Sequence, residues 1–179
     1  MKKTGIMRRI DSLGRIVIPK EIRSSLHIKE SDKLEIYLDE NENIMLKKDS
    51  TLKNKQNFLY DFLYSIYNIN KKNVLITDKD KIIVYLGINK DEYLNKRISQ
   101  MLDSCLARRV NLMENYKKEL TIVDDNSVLC TYIIKSIISN GDVIGLFMMF
   151  STSENEMINK TDDKIADIAT NFLSKYLEE

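Results

Sequence analysis

With 179 residues, 43% of them hydrophobic and 31% charged, the chain has room for one domain or two small ones and the composition of a globular protein. No apolar run approaches the roughly 18–20 residues of a membrane span, and the basic start Met1-Lys2-Lys3 is not followed by an apolar secretory stretch. Two separated cysteines, Cys105 and Cys130, and the single histidine His27 supply neither a metal set nor a disulfide framework, which predicts a cytoplasmic protein.

The net charge of +1 hides an asymmetry. Residues 1–23 carry seven cations against Asp11 and Glu21, a net of +5, so the remainder sums to −4. One concentrated basic end on a near-neutral chain points to an anionic polymer gripped at one place.

In chain order, two short β-type runs, Ile6 to Ile10 and Arg15 to Ile18, flank the turn signal Asp11-Ser12-Leu13-Gly14. Pro19 is placed to open a short helix, because its missing N–H costs nothing at the first helical position. Lys33 to Leu38 alternates apolar and polar residues, the turn 39–43 follows, and Ile44 to Lys48 makes a fourth strand. Four short strands and a two-turn helix bury too little apolar surface to fold alone, so a homodimer with a shared core is expected. Arg8, Arg9, Arg15 and Arg23 project from this scaffold with Lys20, and arginine's planar fork suits phosphates and guanine edges. Lys20, Lys47 and Lys48 are weaker contact candidates that read first as solvated lysines, and His27 reads as a helix-end or surface residue.

The run Thr4-Gly5-Ile6, with Arg8, Asp11, Leu13-Gly14-Arg15, Val17-Ile18-Pro19, Glu21 and Arg23, resembles the swapped-hairpin domain of the AbrB-type transition-state regulators. The likeness continues through Leu34-Glu35-Ile36-Tyr37 and Ile44 to Lys48, so it covers about the first 50 residues. The whole-chain layout is similar to sporulation regulators of this type. The resemblance implies an intertwined barrel-like dimer on double-stranded DNA, with Arg8, Arg9, Arg15 and Arg23 at the contact and Lys20 as a weaker candidate beside them. Ser24 stands where the family commonly has a second basic residue, which predicts a difference in affinity or site preference.

Residues 49–57 are polar and aperiodic, and read as a short linker or the capped start of a helix. Phe58, Leu59, Phe62, Leu63, Ile66 and Tyr67 then form an amphipathic stripe, and 156–177 carries a second one through Ile165, Ile168, Ala169, Phe172, Leu173 and Tyr176. Between them come strand candidates at 73–77 and 81–86, helical stretches over 92–114, and strands at 120–123, 128–139 and 143–150. Asn140-Gly141 between the last two is a two-residue hairpin signal. This order resembles a GAF domain, which implies a small-molecule sensor, an oligomerisation module, or both. The expected fold class is therefore α+β, with an AbrB-like domain at 1–52 and a GAF-like domain at 56–179. Tyrosines flanking both terminal stripes favour a partner helix, and hence a homotetramer.

Catalytic chemistry is not expected. Asp78, Asp80, Asp124 and Asp125 sit at strand ends, where aspartate commonly builds turns. No phosphate-binding glycine loop or serine–histidine arrangement is present, and no cofactor motif beyond an unidentified GAF effector is implied. Cys105 and Cys130 read as buried apolar residues. The reading is a DNA-binding transcription regulator; an antitoxin with a toxin partner is the alternative, because antitoxins share the small swapped-hairpin fold.

Overall fold

The computed structural model describes residues 5–26, 28, 30, 32–48 and 51–178. His27 lies outside the described residues, as do Lys2, Lys3 and Thr4. The chain divides into two compact units, 1–49 and 50–179.

In the first unit, α1 (Lys20–Ser25) is followed by the antiparallel pair β1 (Leu34–Leu38) and β2 (Ile44–Lys48), with Ile36 opposite Leu46. Pro19 stands one residue earlier than the sequence predicted, as the N-cap rather than the first helical residue. The two strands expected at Ile6–Ile10 and Arg15–Ile18 are corrected. They flank a closed turn but form no ladder among the described residues. Among the described residues only the Asp11 N to Arg15 O backbone bond at the turn joins the two runs, and both expose apolar side chains, whereas β1 and β2 pair over five positions. Among the described residues of this unit only Pro19 is buried, while Val17, Ile36 and Leu38 are 73%, 70% and 75% exposed.

The second unit opens with α2 (Thr51–Asn54) and α3 (Gln56–Asn70). The polar stretch read as a linker or a helix start is thus mostly helical from Thr51 onward. There follow β3 (Asn73–Thr77), β4 (Ile82–Leu86), α4 (Lys90–Tyr93), α5 (Gln100–Arg108), β5 (Leu112–Val123), β6 (Asn126–Ser139), β7 (Asp142–Ser151) and α6 (Lys160–Tyr176). The five strands form one antiparallel sheet in the order β4-β3-β7-β6-β5. Asn140 and Gly141 both adopt positive φ in the β6–β7 turn, as their pairing predicted.

Both faces of the sheet are covered. On one, Ile133, Ile137, Phe147 and Met149 meet Leu59 and Leu63 of α3 and Ala166, Ala169 and Leu173 of α6. On the other, Tyr85, Ile134, Met148 and Phe150 pack with Tyr93, Ile98, Leu102 and Cys105. Asn159 caps α6: its side chain accepts from Thr161 N and Asp162 N, and Asp162 reaches back to Asn159 N. Asp162 also holds Lys72 at 2.6 Å, a buried ion pair joining the end of α3 to the start of α6.

Gly145 marks a close approach inside the sheet. A Cβ there would lie 1.9 Å from the Thr77 carbonyl oxygen and 2.6 Å from Leu52 Cδ1. Leu52, 1% exposed, seats the short α2 over this notch.

Candidate nucleic-acid interface

The basic surface is built around the turn Asp11 to Arg15. Asp11 N donates to Arg15 O at 3.1 Å, and Gly14 N donates to Asp11 O at 3.0 Å. Gly14 closes the turn at φ +77°, a conformation that glycine reaches without a Cβ clash. Asp11 Oδ1 accepts from the Leu13 and Arg15 amides, each at 2.9 Å, and Oδ2 accepts from Arg15 Nε at 2.7 Å. The Arg15 amide and then its guanidinium hold the Asp11 carboxyl below the usual carboxylate range.

The second hairpin repeats this turn. Glu42 N donates to Asp39 O at 3.0 Å, and Glu42 takes φ +59°. Asp39 Oδ1 accepts from the amides of Asn41 and Asn43 at 2.9 and 2.8 Å. Where Arg15 Nε closes the first turn, Asn43 Nδ2 closes the second, donating to Asp39 Oδ2 at 2.9 Å. The Asn43 side chain and amide hold the Asp39 carboxyl low in the same way.

The two turns differ in charge. Residues 5–26 carry five cations against two carboxylates, whereas residues 30–43 carry one lysine against six. Arg8, Arg9, Arg15, Lys20 and Arg23 are all exposed on the first segment. Lys20 and Arg23 sit three apart on α1, and therefore on one side of it. Among the described residues Arg15 alone of the five has a carboxylate partner; Arg8 Nη1 donates to the Met7 carbonyl at 3.2 Å. Within residues 8–23, four exposed cations have no carboxylate partner among the described residues, and the fifth, Arg15, is clamped by Asp11.

A sequence profile for the stage V sporulation protein T C-terminal transcription-factor family matches residues 54–178. The chain belongs to this family. Stage V sporulation protein T of Bacillus subtilis (strain 168) is 37% identical over 180 residues, covering 100% of both chains. The transition state regulatory protein AbrB of the same organism is 60% identical over 48 residues, 27% of this chain and 49% of that one. A second profile, antidote-toxin recognition MazE, bacterial antitoxin, matches residues 7–54. Among solved structures, a type II free methionine-R-sulfoxide reductase from Thermoplasma acidophilum superposes with a TM-score of 0.54 at 13% identity. It covers 70% of this chain and 94% of its own, and shares the fold alone.

For a member of the stage V sporulation protein T family, the five basic residues singled out in the sequence fall within one exposed stretch. Lys47, read as solvated, has its Nζ 5.8 Å from the Tyr37 ring on its own hairpin. In the sequence Asp11 reads only as a turn former; its hold on Arg15 appears in the structure. The signal available was an aspartate four residues before an arginine with glycine between them.

The second unit presents two further features. Phe58, Phe62, Phe172 and Tyr176 stack across α3 and α6, with the Phe58 and Tyr176 ring centres 4.1 Å apart. Ile168 and Phe172 on that helical face remain 68% and 44% exposed. On the opposite side of the sheet, Tyr85 stacks on Tyr93 at 4.9 Å and donates to the Ile88 carbonyl at 2.6 Å. Burial raises the pKa of the Tyr85 phenol and pushes the Cys130 thiol up to about 12. Both cysteines are free and buried. Asp78 accepts the Asp80 and Lys81 amides at 2.7 Å each, which is turn work. No helix among the described residues is long and apolar enough to cross a membrane.

Proposed function

We propose that two copies of residues 1–52 interleave their hairpins into one barrel-like body that grips duplex DNA, and that residues 56–179 form a GAF-like sensor and oligomerisation domain. One observation carries this reading. The first unit exposes Ile10, Ile16, Val17, Ile36, Leu38 and Ile44, yet among its described residues buries only Pro19. Apolar side chains in that number need a cover, and burying each fully is worth about 1.5–3 kcal/mol. A second copy supplies identical hairpins by a two-fold axis, pairing the runs 6–10 and 15–18 and doubling the basic surface.

Arg8, Arg9, Lys20 and Arg23 lack carboxylate partners among the described residues and suit phosphate contact. Four such cations per chain give about eight contacts per dimer, so log K should fall with log salt at a slope near −7. Sedimentation of the protein, with a gel-shift titration of a duplex at rising salt, tests both halves. A monomer at micromolar concentration, or no retarded duplex in dilute buffer, refutes the proposal.

The half-exposed α3–α6 face, with Ile168 and Phe172, supports a second subunit contact and so a homotetramer. An effector on the far side of the sheet would act by displacing Tyr93 from Tyr85 and shifting the packing of α4. An enzyme is not proposed, since the family matched over residues 54–178 is described as a transcription factor. The MazE-type match over residues 7–54 favours an antitoxin as the second reading. Against it, residues 51–178 pack as a domain. Co-purification of a toxin would favour that alternative.

A further inference from the structure

The five cations of the basic surface are not equivalent, and the twin turn shows why. Asn43 closes the second turn with the same set of hydrogen bonds that Arg15 makes in the first. The turn itself therefore does not require an arginine. What arginine adds is a fork that continues past the bond to Asp11. With Nε committed to Asp11 Oδ2 at 2.7 Å, the two terminal nitrogens keep four N–H donors. Among the described residues they meet no other acceptor, and the Arg15 side chain is 73% exposed.

Asp11 has two opposite effects on Arg15. It cancels the charge, which weakens any contact that works by counterion release from phosphates. It also fixes the direction of the planar fork, which strengthens any contact that needs paired hydrogen bonds in one plane. A phosphate contact wants the first property intact; a base edge wants the second. Guanine offers O6 and N7 side by side in the major groove, matched to the end of a guanidinium.

We propose that Arg15 reads a base edge, guanine by its chemistry, and that Asp11 is its positioning residue, while Arg8, Arg9, Lys20 and Arg23 hold phosphates. This deepens the DNA-binding reading and rests on it. Selectivity is thereby separated from affinity within one short segment, and the positioning carboxylate is built into the turn.

The test uses full-length protein and two probes: a duplex selected by the wild type from a random library, and a reference duplex of A·T pairs only. Binding of both is measured by fluorescence anisotropy across a range of salt concentrations. The double variant Asp11→Asn with Arg15→Ala replaces a neutral pair by a neutral pair. It should keep the wild-type salt slope on the reference duplex and lose the preference for the selected duplex by about tenfold or more. Asp11→Asn alone should lose preference while binding the reference more tightly. Arg15→Lys, which keeps charge and turn but not the fork, should lose preference with the slope unchanged. Asp39→Asn makes the same change in the twin turn and should leave preference intact.

A double variant that weakens equally on both duplexes with a shallower slope would make Arg15 a phosphate contact and overturn the proposal. So would preference retained in Asp11→Asn, or a wild type that selects no duplex over the reference. Failure of the wild type to bind any duplex at low salt would instead remove the underlying DNA-binding reading.

Discussion

Lys72→Met should destabilise the second unit by several kcal/mol, and the arrangement around Asp162 sets the size. Lys72 Nζ lies 2.6 Å from Asp162 Oδ2, with the two side chains 8% and 3% exposed. Asp162 Oδ2 also accepts the Asn159 amide at 2.9 Å, and Oδ1 accepts from Asn70 Nδ2 at 3.3 Å. Removing the ammonium leaves a buried carboxylate with only neutral donors, which costs about 3–5 kcal/mol. Asp162→Asn strands the ammonium instead and should cost a similar amount, although the asparagine still accepts at the α6 cap. The double variant removes both charges, so it should recover most of the loss; replacing a buried pair by uncharged groups is often near neutral. Urea unfolding followed by circular dichroism reads all four proteins, and with m of about 1–3 kcal/mol/M the single variants shift their midpoints by about 1 M or more. Additive single losses in the double variant would refute the reasoning, because they would show that the two groups do not act as a pair.

Three further outcomes are expected. Gly145→Ala should cost at least the 1–3 kcal/mol typical of overpacking, and Leu52→Ala should not rescue it, because the Thr77 carbonyl still lies in the path of the new Cβ; urea melts check this. Cys105 and Cys130 should resist alkylation at pH 8 in the folded protein, since burial raises the Cys105 thiol and holds Cys130 near 12; mass spectrometry reads the adducts. Burial pulls the Lys135 pKa down, but the hydrogen bonds its ammonium donates to Asp163 and Asp167 outweigh it and leave the pKa raised. Its contribution is therefore present below the ordinary lysine value and lost as pH rises through the raised one. The stability gap between wild type and Lys135→Met should stay constant from pH 6 to 10 and narrow above that.

Much of the second unit was legible because its central strands are buried on both faces. Val74 to Ile76 and Leu146 to Phe150 read as unbroken apolar runs, and strands β3 and β7 fall where those runs lie. The first eight residues of β5 were not legible. Glu114, Asn115, Lys117 and Lys118 lie on an edge strand, and a bulge between Glu114 and Lys118 breaks any alternation. The helical stretches read over 92–114 are α4 and α5, separated where Asn95 takes φ +63°, but residues 112–114 at their end belong to β5. Leu52 is one leucine in a polar run, and its burial over Gly145 and in the core beneath α3 and α6 is set by tertiary packing. In the first unit the basic residues and both turns could be read directly. The clamp of Asp11 on Arg15 could not, because a turn aspartate and a clamping one look alike until the guanidinium is seen to fold back.

The most direct check on the central claim is a salt titration of DNA binding by the wild type and by Arg8→Ala with Arg23→Ala, with sedimentation run on the same samples. Wild type should give a slope near −7 and the variant a slope near −4, because four of about eight contacts are gone, with an unchanged oligomer in both. Equal slopes and affinities in the two proteins would contradict that claim.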